Sequence, residues 1–217
     1  MRNRMVLKGL LPCALWLAAM AGSCASANKI DMSEPTRLLG RENDVRIDAQ
    51  IGSAALSERI GPSTSLPVTY EIHNFRQSPI AVADLVSETT YDDDSRTITL
   101  NVGSEVPGNE LLPRLVVVAP GESKTFSTAA HMSFPVANRG ELTEWPETLR
   151  VKLNYLQQVK PFEKLVGIQE NAVHDPQLAN DLFDVWVQNN QTVITNSVPV
   201  LWQGRPRTQN MDQPLRP

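Results

Sequence analysis

Outside its first 27 residues the chain has no cysteine, so neither a disulfide nor a thiolate-bound metal can brace whatever folds there. Aromatic residues make up only 6% of the 217, and no cluster of Lys or Arg interrupts a net charge of −4. A negative chain without a basic patch is poorly suited to capturing nucleic acid or anionic lipid. Long apolar runs are also missing. The longest stretch, about 12 residues, would span roughly 18 Å as a helix against a hydrocarbon core of about 30 Å. Catalytic signatures are absent too: there is no H-E-x-x-H, no G-x-S-x-G and no Gly-rich phosphate loop. The sequence therefore yields no catalytic residue, no metal site and no cofactor. An apolar content of 41% is enough for a core, and one soluble domain is the first expectation.

The missing span leaves a different reading for the N-terminus. Arg2, Arg4 and Lys8 precede an apolar run from Gly9 to Met20, and Ala25-Ser26-Ala27 supplies the small-x-small pattern of a signal-peptidase site. Residues 1–27 are therefore expected to be an export signal. Their removal leaves 17 basic against 24 acidic residues, a net charge of minus seven. Two cleavage readings stand side by side. One cuts after Ala27. The other cuts before Cys24, which follows Ala21-Gly22-Ser23, resembles a lipobox, and would carry a lipid at the new N-terminus. In the lipoprotein pattern the usual Leu is replaced here by Ala21. Residues 28–44 are polar, contain Pro35 and Gly40, and read as a flexible tether, while 204–217 read as an extended or disordered tail.

Between these arms, in 45–203, the dominant period is two. Leu66, Val68, Tyr70 and Ile72 alternate with polar neighbours, as do Ile98, Leu100 and Val102, and later Leu149, Val151, Leu153 and Tyr155. That is the pattern of strands with one face in a core. Residues 74–78 offer a polar turn before Pro79-Ile80-Ala81-Val82, a hairpin-like return. The run Leu115 to Val118 is apolar on both phases, so it is expected to be covered on both faces. Further strands are expected at 45–51, 124–128, 183–187 and 192–201, the last broken at Asn196-Ser197. One short helix has its signals in place, with Asp175 as cap, Pro176 in the first turn, and Leu178 and Leu182 on one face. The sum is an all-β, antiparallel sandwich of about eight strands with a single helix in a long connection.

Candidate chemical groups each have a plainer explanation. His73, His131 and His174 are far apart in sequence, and His73 falls on the polar phase of its strand. Asp92-Asp93-Asp94-Ser95 lacks the central Gly and distal Glu of a calcium loop and reads as a solvated hairpin turn. Glu141, Glu144 and Glu147 surround Trp145-Pro146, and the proline breaks the phasing that a carboxylate pair on one helix face would need. Trp186 lies out of phase with Phe183, Val185 and Val187. It either covers the edge of the core or faces outward as a contact for a partner. Long strands also leave edges open to a partner adding a strand.

The succession Val68 to Asn74, Pro79 to Val82, and Val118-Ala119-Pro120-Gly121-Glu122-Ser123 resembles bacterial immunoglobulin-like domains, over about 60 residues. In many of these a strand ends in Asn, a Pro opens the next, and an APGES turn leads into a later strand. Pro120-Gly121 suits a type II turn. The resemblance implies an immunoglobulin-like β-sandwich and carries no catalytic residue. A weaker likeness, resting on Cys24, the SLPVTYEI strand and the later PGE turn, is to small outer-membrane sandwich lipoproteins of secretion systems, whose closing aromatic strand is not found here.

The expectation is a non-enzymatic β-sandwich of the bacterial cell envelope, periplasmic or tethered to the outer membrane by a lipid at Cys24. Its expected work is binding or assembly with an envelope protein, as an accessory subunit. The competing expectations are a periplasmic hydrolase or metal-dependent enzyme with a site built from loops, and a pilus-type periplasmic chaperone.

Overall fold

The computed structural model describes residues 30, 37–52, 65–108, 111–131 and 146–200. The expectations placed on 1–27, on Cys24, on Glu141 and Glu144, and on 204–217 lie outside these residues. Within them the chain is mostly β, with sheets facing one another across a common core. The first sheet is antiparallel and has the order β1 (Leu38–Glu42), β2 (Val45–Ile51), β3 (Ser65–Asn74), β9 (Ser123–His131). The second runs β5 (Val86–Asp92), β6 (Thr97–Val102), β10 (Thr148–Leu156), β4 (Ile80–Ala83), β8 (Leu115–Val118). On it, β12 (Asn190–Ile194) and β13 (Val198–Pro199) also pair with β10. Two short strands, β7 (Leu111–Pro113) and β11 (Ala172–His174), pair apart from both.

The alternation seen in the sequence is what builds this arrangement. Ile47 and Ala49 of β2, Val68 and Ile72 of β3, Leu100 of β6 and Val151 of β10 all turn inward and are sealed from solvent in one cluster. Each such Ile, Val or Leu side chain contributes roughly 1.5–3 kcal/mol relative to its exposed state. The second sheet is not wholly antiparallel. β6 and β10 run parallel, from Thr148 opposite Thr97 to Leu153 opposite Val102.

The expected return after Asn74 is not a hairpin. β3 belongs to the first sheet and β4 to the second, so 74–79 is a corner that carries the chain across the sandwich. The APGES turn is a second such corner, between β8 and β9, closed by the Glu122 amide donating to the Ala119 carbonyl with Gly121 at φ +73°. Asn74 ties the two corners together. Its side-chain amide donates to Ser78 O and Val118 O, and its oxygen accepts from the Arg76 amide. Its own amide donates to Glu122 O while its carbonyl accepts from the Gly121 amide.

Residues 28–44, read as a tether, contain β1. Leu38 is buried and 38–42 pair with β2 through a two-residue turn, Asn43-Asp44, with φ of +49° and +60°. Two consecutive positive φ values make this the tight hairpin whose twist matches its strands. The sandwich therefore begins before residue 45.

The strand expected at 183–187 is instead helix. α1 (Pro176–Asn189) starts at the expected cap, the Asp175 carboxylate accepting from the Leu178 amide at 2.9 Å, and continues past Leu182 to Asn189. Helical spacing, not alternation, then decides which side chains face inward: Ala179, Leu182 and Trp186. Together with Phe162 and Leu165 of a 3-10 turn (Lys160–Leu165), they cover Ala81, Ala83 and Leu115 on the outer side of the second sheet. Thus β4 is buried on both faces. On β8, Leu115 enters this second core and Val118 the first, while Val116 and Val117 between them are half-buried, so the run expected to be covered on both faces is fully covered only at its ends.

Both lateral seams of the sandwich are closed. At one, the Leu39 amide donates to Asn196 Oδ1 at 2.7 Å, the Asn196 amide donates to Leu39 O, and β1 lies against β12. At the other, Thr89 Oγ1 donates to the His131 carbonyl between β5 and β9. At the end of β8, Lys124 Nζ donates to Val117 O and Asn74 donates to Val118 O. The edges that strand addition would need are occupied at these places.

Candidate functional site

On the outer face of the first sheet, register sets two rows of side chains across the strands: Leu39, Asp48, Glu71 and Thr125, then Arg41, Arg46, His73 and Ser123. Asp48 has the outward phase of β2 and is nevertheless only 1% exposed. It is covered by its partners: Arg37 ion-pairs with one oxygen, and Arg46 Nη2 lies 2.6 Å from the other. His73 Nε2 stands 3.2 Å from that second oxygen and 3.5 Å from Glu71. The other ring nitrogen, Nδ1, is 2.6 Å from Ser123 Oγ. Asp48, His73 and Ser123 come from three adjacent strands, so their meeting depends on sheet register and is invisible to motif spacing.

A Ser–His–Asp series invites comparison with nucleophilic catalysis, and three features oppose it. The ring is turned so that Nδ1, not Nε2, meets the serine. The carboxylate is already engaged by two guanidinium groups, and neither Asp48 Oδ2 nor His73 Nε2 has an aligned hydrogen bond. Ser123 is exposed on an open strand, outside the lining of both hollows described below. The arrangement holds the imidazole in a fixed orientation.

The fixed imidazole supports an exposed aromatic ring. His73 and Phe75 stack with centroids 6.0 Å apart and planes 5° from parallel, and the Arg41 guanidinium lies 5.0 Å above the same Phe75 ring. Phe75 is 45% exposed. Trp186, which the sequence offered as a partner contact if exposed, is 1% exposed. Its Nε1 donates to Ser104 O and its ring meets Phe162 edge-on at 5.3 Å, so it cannot present a face to a partner. Of the two readings offered for Trp186, covering a core is the one the structure shows, although the residue does so from a helix and not from a strand at 183–187.

Beside this stack, at the end of the sandwich, lies a hollow of about 540 Å³ lined by Asn43, Asp44, Arg76, Gln77, Ser78, Gln157 and Gln191. A second, of about 430 Å³, shares Arg76, Ser78 and Gln157 with it and continues over Pro79 and Val159 to Gln158 and Lys160. The β1–β2 turn supplies Asn43 and Asp44, the corner after β3 supplies Arg76 to Ser78, and the end of β10 and start of β12 supply the glutamines. Tyr155 lies below. Its hydroxyl is buried beside Arg76 and Asn43 without an aligned hydrogen bond, and burial raises its pKa despite the nearby guanidinium. Sequence reasoning missed the hollow because its residues are ordinary turn and strand-end amides, scattered over 43–191.

The acidic run behaves as the turn it was read to be. Asp92 Oδ1 accepts from the amides of Asp94 and Ser95, and Oδ2 accepts from Ser95 Oγ at 2.8 Å. The Ser95 hydroxyl, then the backbone, holds the carboxyl below its usual range. Among the described residues no group of three His, Cys, Asp or Glu is placed to hold a metal ion, and no helix is long and apolar enough to cross a membrane. His131 and His174 do not join His73 in any such group. Comparison with protein-family models, curated proteins and solved structures finds no match.

Proposed function

We propose that this is an exported, non-enzymatic protein of the bacterial cell envelope, built on an immunoglobulin-like sandwich, that binds an envelope protein during assembly. The Arg41–Phe75–His73 stack carries the reading. An exposed aromatic held between a guanidinium and a fixed imidazole loses little freedom on binding, and Arg with aromatic rings is the composition enriched at binding hot spots. The closed seams favour docking on a face over strand addition. Export rests on the leader-like residues 1–27, and attachment to the outer membrane rests on Cys24.

Crosslinking in intact cells tests the proposal, using a photoreactive residue in place of Thr125 on the same face, with Phe75→Ala and Cys24→Ala as companions. The wild-type background should yield one dominant crosslinked protein, and Phe75→Ala should abolish it without changing the unfolding midpoint. Undiminished capture by Phe75→Ala would remove the stack from the interface. Cys24→Ala should shift the protein from the membrane to the soluble fraction. If the wild type is already soluble, the lipid anchor is wrong and the cleavage site is after Ala27.

A hydrolase is the second reading, favoured only by the 2.6 Å contact between Ser123 and His73. Labelling of Ser123 by a fluorophosphonate, abolished in His73→Ala, would establish it.

A further inference from the structure

We propose that the two joined hollows at the end of the sandwich bind an oligosaccharide that carries a carboxylate. This site is distinct from the aromatic stack, and the inference stands whether or not the stack binds a protein. The walls decide the ligand class first. Amides from Gln77 and Gln157, the Asn43 side-chain oxygen and the Ser78 hydroxyl offer donors and acceptors, while Gln191 is occupied by Asn43 and the Asn190 carbonyl. The first hollow has no apolar side chain in its lining, and in the second only Pro79 and Val159 break the polar wall, a pair better placed to meet one face of a sugar ring than to receive a row of peptide side chains. A ligand polar on all its faces, such as a sugar, matches this lining.

Charge decides the rest. Arg76 lines both hollows and has no ion-pair partner among the described residues. Its planar fork suits a carboxylate. Asp44, held 3.4 Å from Arg41, contributes an acceptor for hydroxyls and disfavours a dianion such as phosphate at the same rim.

The site is also built in advance. The Arg76 amide donates to Asn74 Oδ1, the Gln157 amide donates to Asn189 O, and Asn43-Asp44 are fixed in their turn. Beneath them the Tyr155 hydroxyl is buried without an aligned partner, next to Arg76 and Asn43. Arg76 and Asn43 both close on that hydroxyl, so Tyr155 helps to set where the guanidinium stands when a carboxylate arrives.

Calorimetric titration of the purified exported protein tests this with three probes: trigalacturonate, its methyl ester, which has the same hydroxyls without the charge, and inorganic phosphate. Trigalacturonate should bind about tenfold more tightly than the ester, and phosphate not measurably, because a charge-assisted pair separates the first two. Arg76→Gln should bring trigalacturonate down to the level of the ester while the unfolding midpoint stays where it was. Tyr155→Phe should weaken trigalacturonate several-fold without lowering the midpoint. No binding of trigalacturonate at millimolar concentration, equal affinity for acid and ester, tighter binding of phosphate, or an Arg76→Gln variant that binds as the wild type would each overturn the proposal. Wild-type affinity in Tyr155→Phe would overturn the part given to Tyr155.

Discussion

Asn74 on β3 reaches across the sandwich to Val118 on β8, its side-chain amide 2.9 Å from the Val118 carbonyl. Because the same amide also serves Ser78 and its oxygen serves the Arg76 amide, one buried side chain satisfies three backbone groups at two corners. Asn74→Ala leaves the Val118 carbonyl unpaired in a buried site and the other two groups unpaired at half-buried ones, and should cost about 1–3 kcal/mol. Asn74→Asp should be no milder, since a carboxylate would face two carbonyl oxygens. The check is the urea midpoint at unchanged slope, and a loss under about 1 kcal/mol would mean that the corners hold without it.

Gly40 and Gly121 separate close approach from backbone conformation. A Cβ added at Gly40 would lie 2.5 Å from Ile194 O and 2.9 Å from its carbonyl carbon, both backbone atoms of the opposite seam strand. One of β1 and β12 would have to move, so Gly40→Ala should cost about 1–3 kcal/mol and expose the seam to hydrogen exchange. At Gly121 nothing lies within 4 Å, and only its φ of +73° opposes a side chain. Gly121→Ala should cost about 1 kcal/mol and leave exchange at Leu39 unchanged. Equal protection of the seam in both variants would contradict the close packing.

Much of this architecture was legible from the sequence, and the failures share causes. Strands with one face inward declared themselves by alternation, as at Leu66 to Ile72 and Leu149 to Tyr155, since the pleat imposes that period wherever one face is dry. The hidden strand β1 had too few apolar residues to show a period, Leu38 alone of its side chains being buried with an apolar body. Its signal was Asn43-Asp44, a pair suited to a tight hairpin turn. In α1 the residues Phe183, Val185 and Val187 alternate by accident, while Ala179, Leu182 and Trp186 carry the helical spacing that packing obeys. Cross-sheet contacts such as Asp48 with His73, and the hollow over Tyr155, come from register between distant strands, which no single-sequence pattern encodes.

The covered carboxylate of Asp48 predicts coupling that salt does not remove. Arg37 and Arg46 retain some contact with water, so replacing Asp48 by Asn should cost about 1–3 kcal/mol, below the figure for a fully sealed pair. The double variant Asp48→Asn with Arg46→Gln should be more stable than the sum of the single losses by about 1 kcal/mol. Raising the salt to a Debye length of a few ångströms should leave that coupling mostly intact, because the Asp48 oxygens are shielded from solvent. Strict additivity of the two substitutions would show that Arg46 merely lies over Asp48.

Alkaline stability offers a test of the first core itself. Tyr70 is sealed at its centre and stacks on Phe126 with centroids 5.0 Å apart, and burial, then the Asp84 charge, raises its pKa well above the ordinary value. A phenol that stays protonated in the fold but ionises near pH 10 when unfolded gives its full contribution below about pH 10. Above that the unfolded chain releases the proton first, and stability falls by up to about 1.4 kcal/mol per pH unit until the folded state ionises too. Tyr70→Phe keeps the stacked ring and removes this slope. Melting temperatures taken from pH 8 to about pH 11 should therefore fall more steeply for the wild type than for the variant. Tyr155, shifted in the same direction, leaves a smaller alkaline decline in Tyr70→Phe, and parallel curves for the two proteins would mean that Tyr70 ionises as readily folded as unfolded.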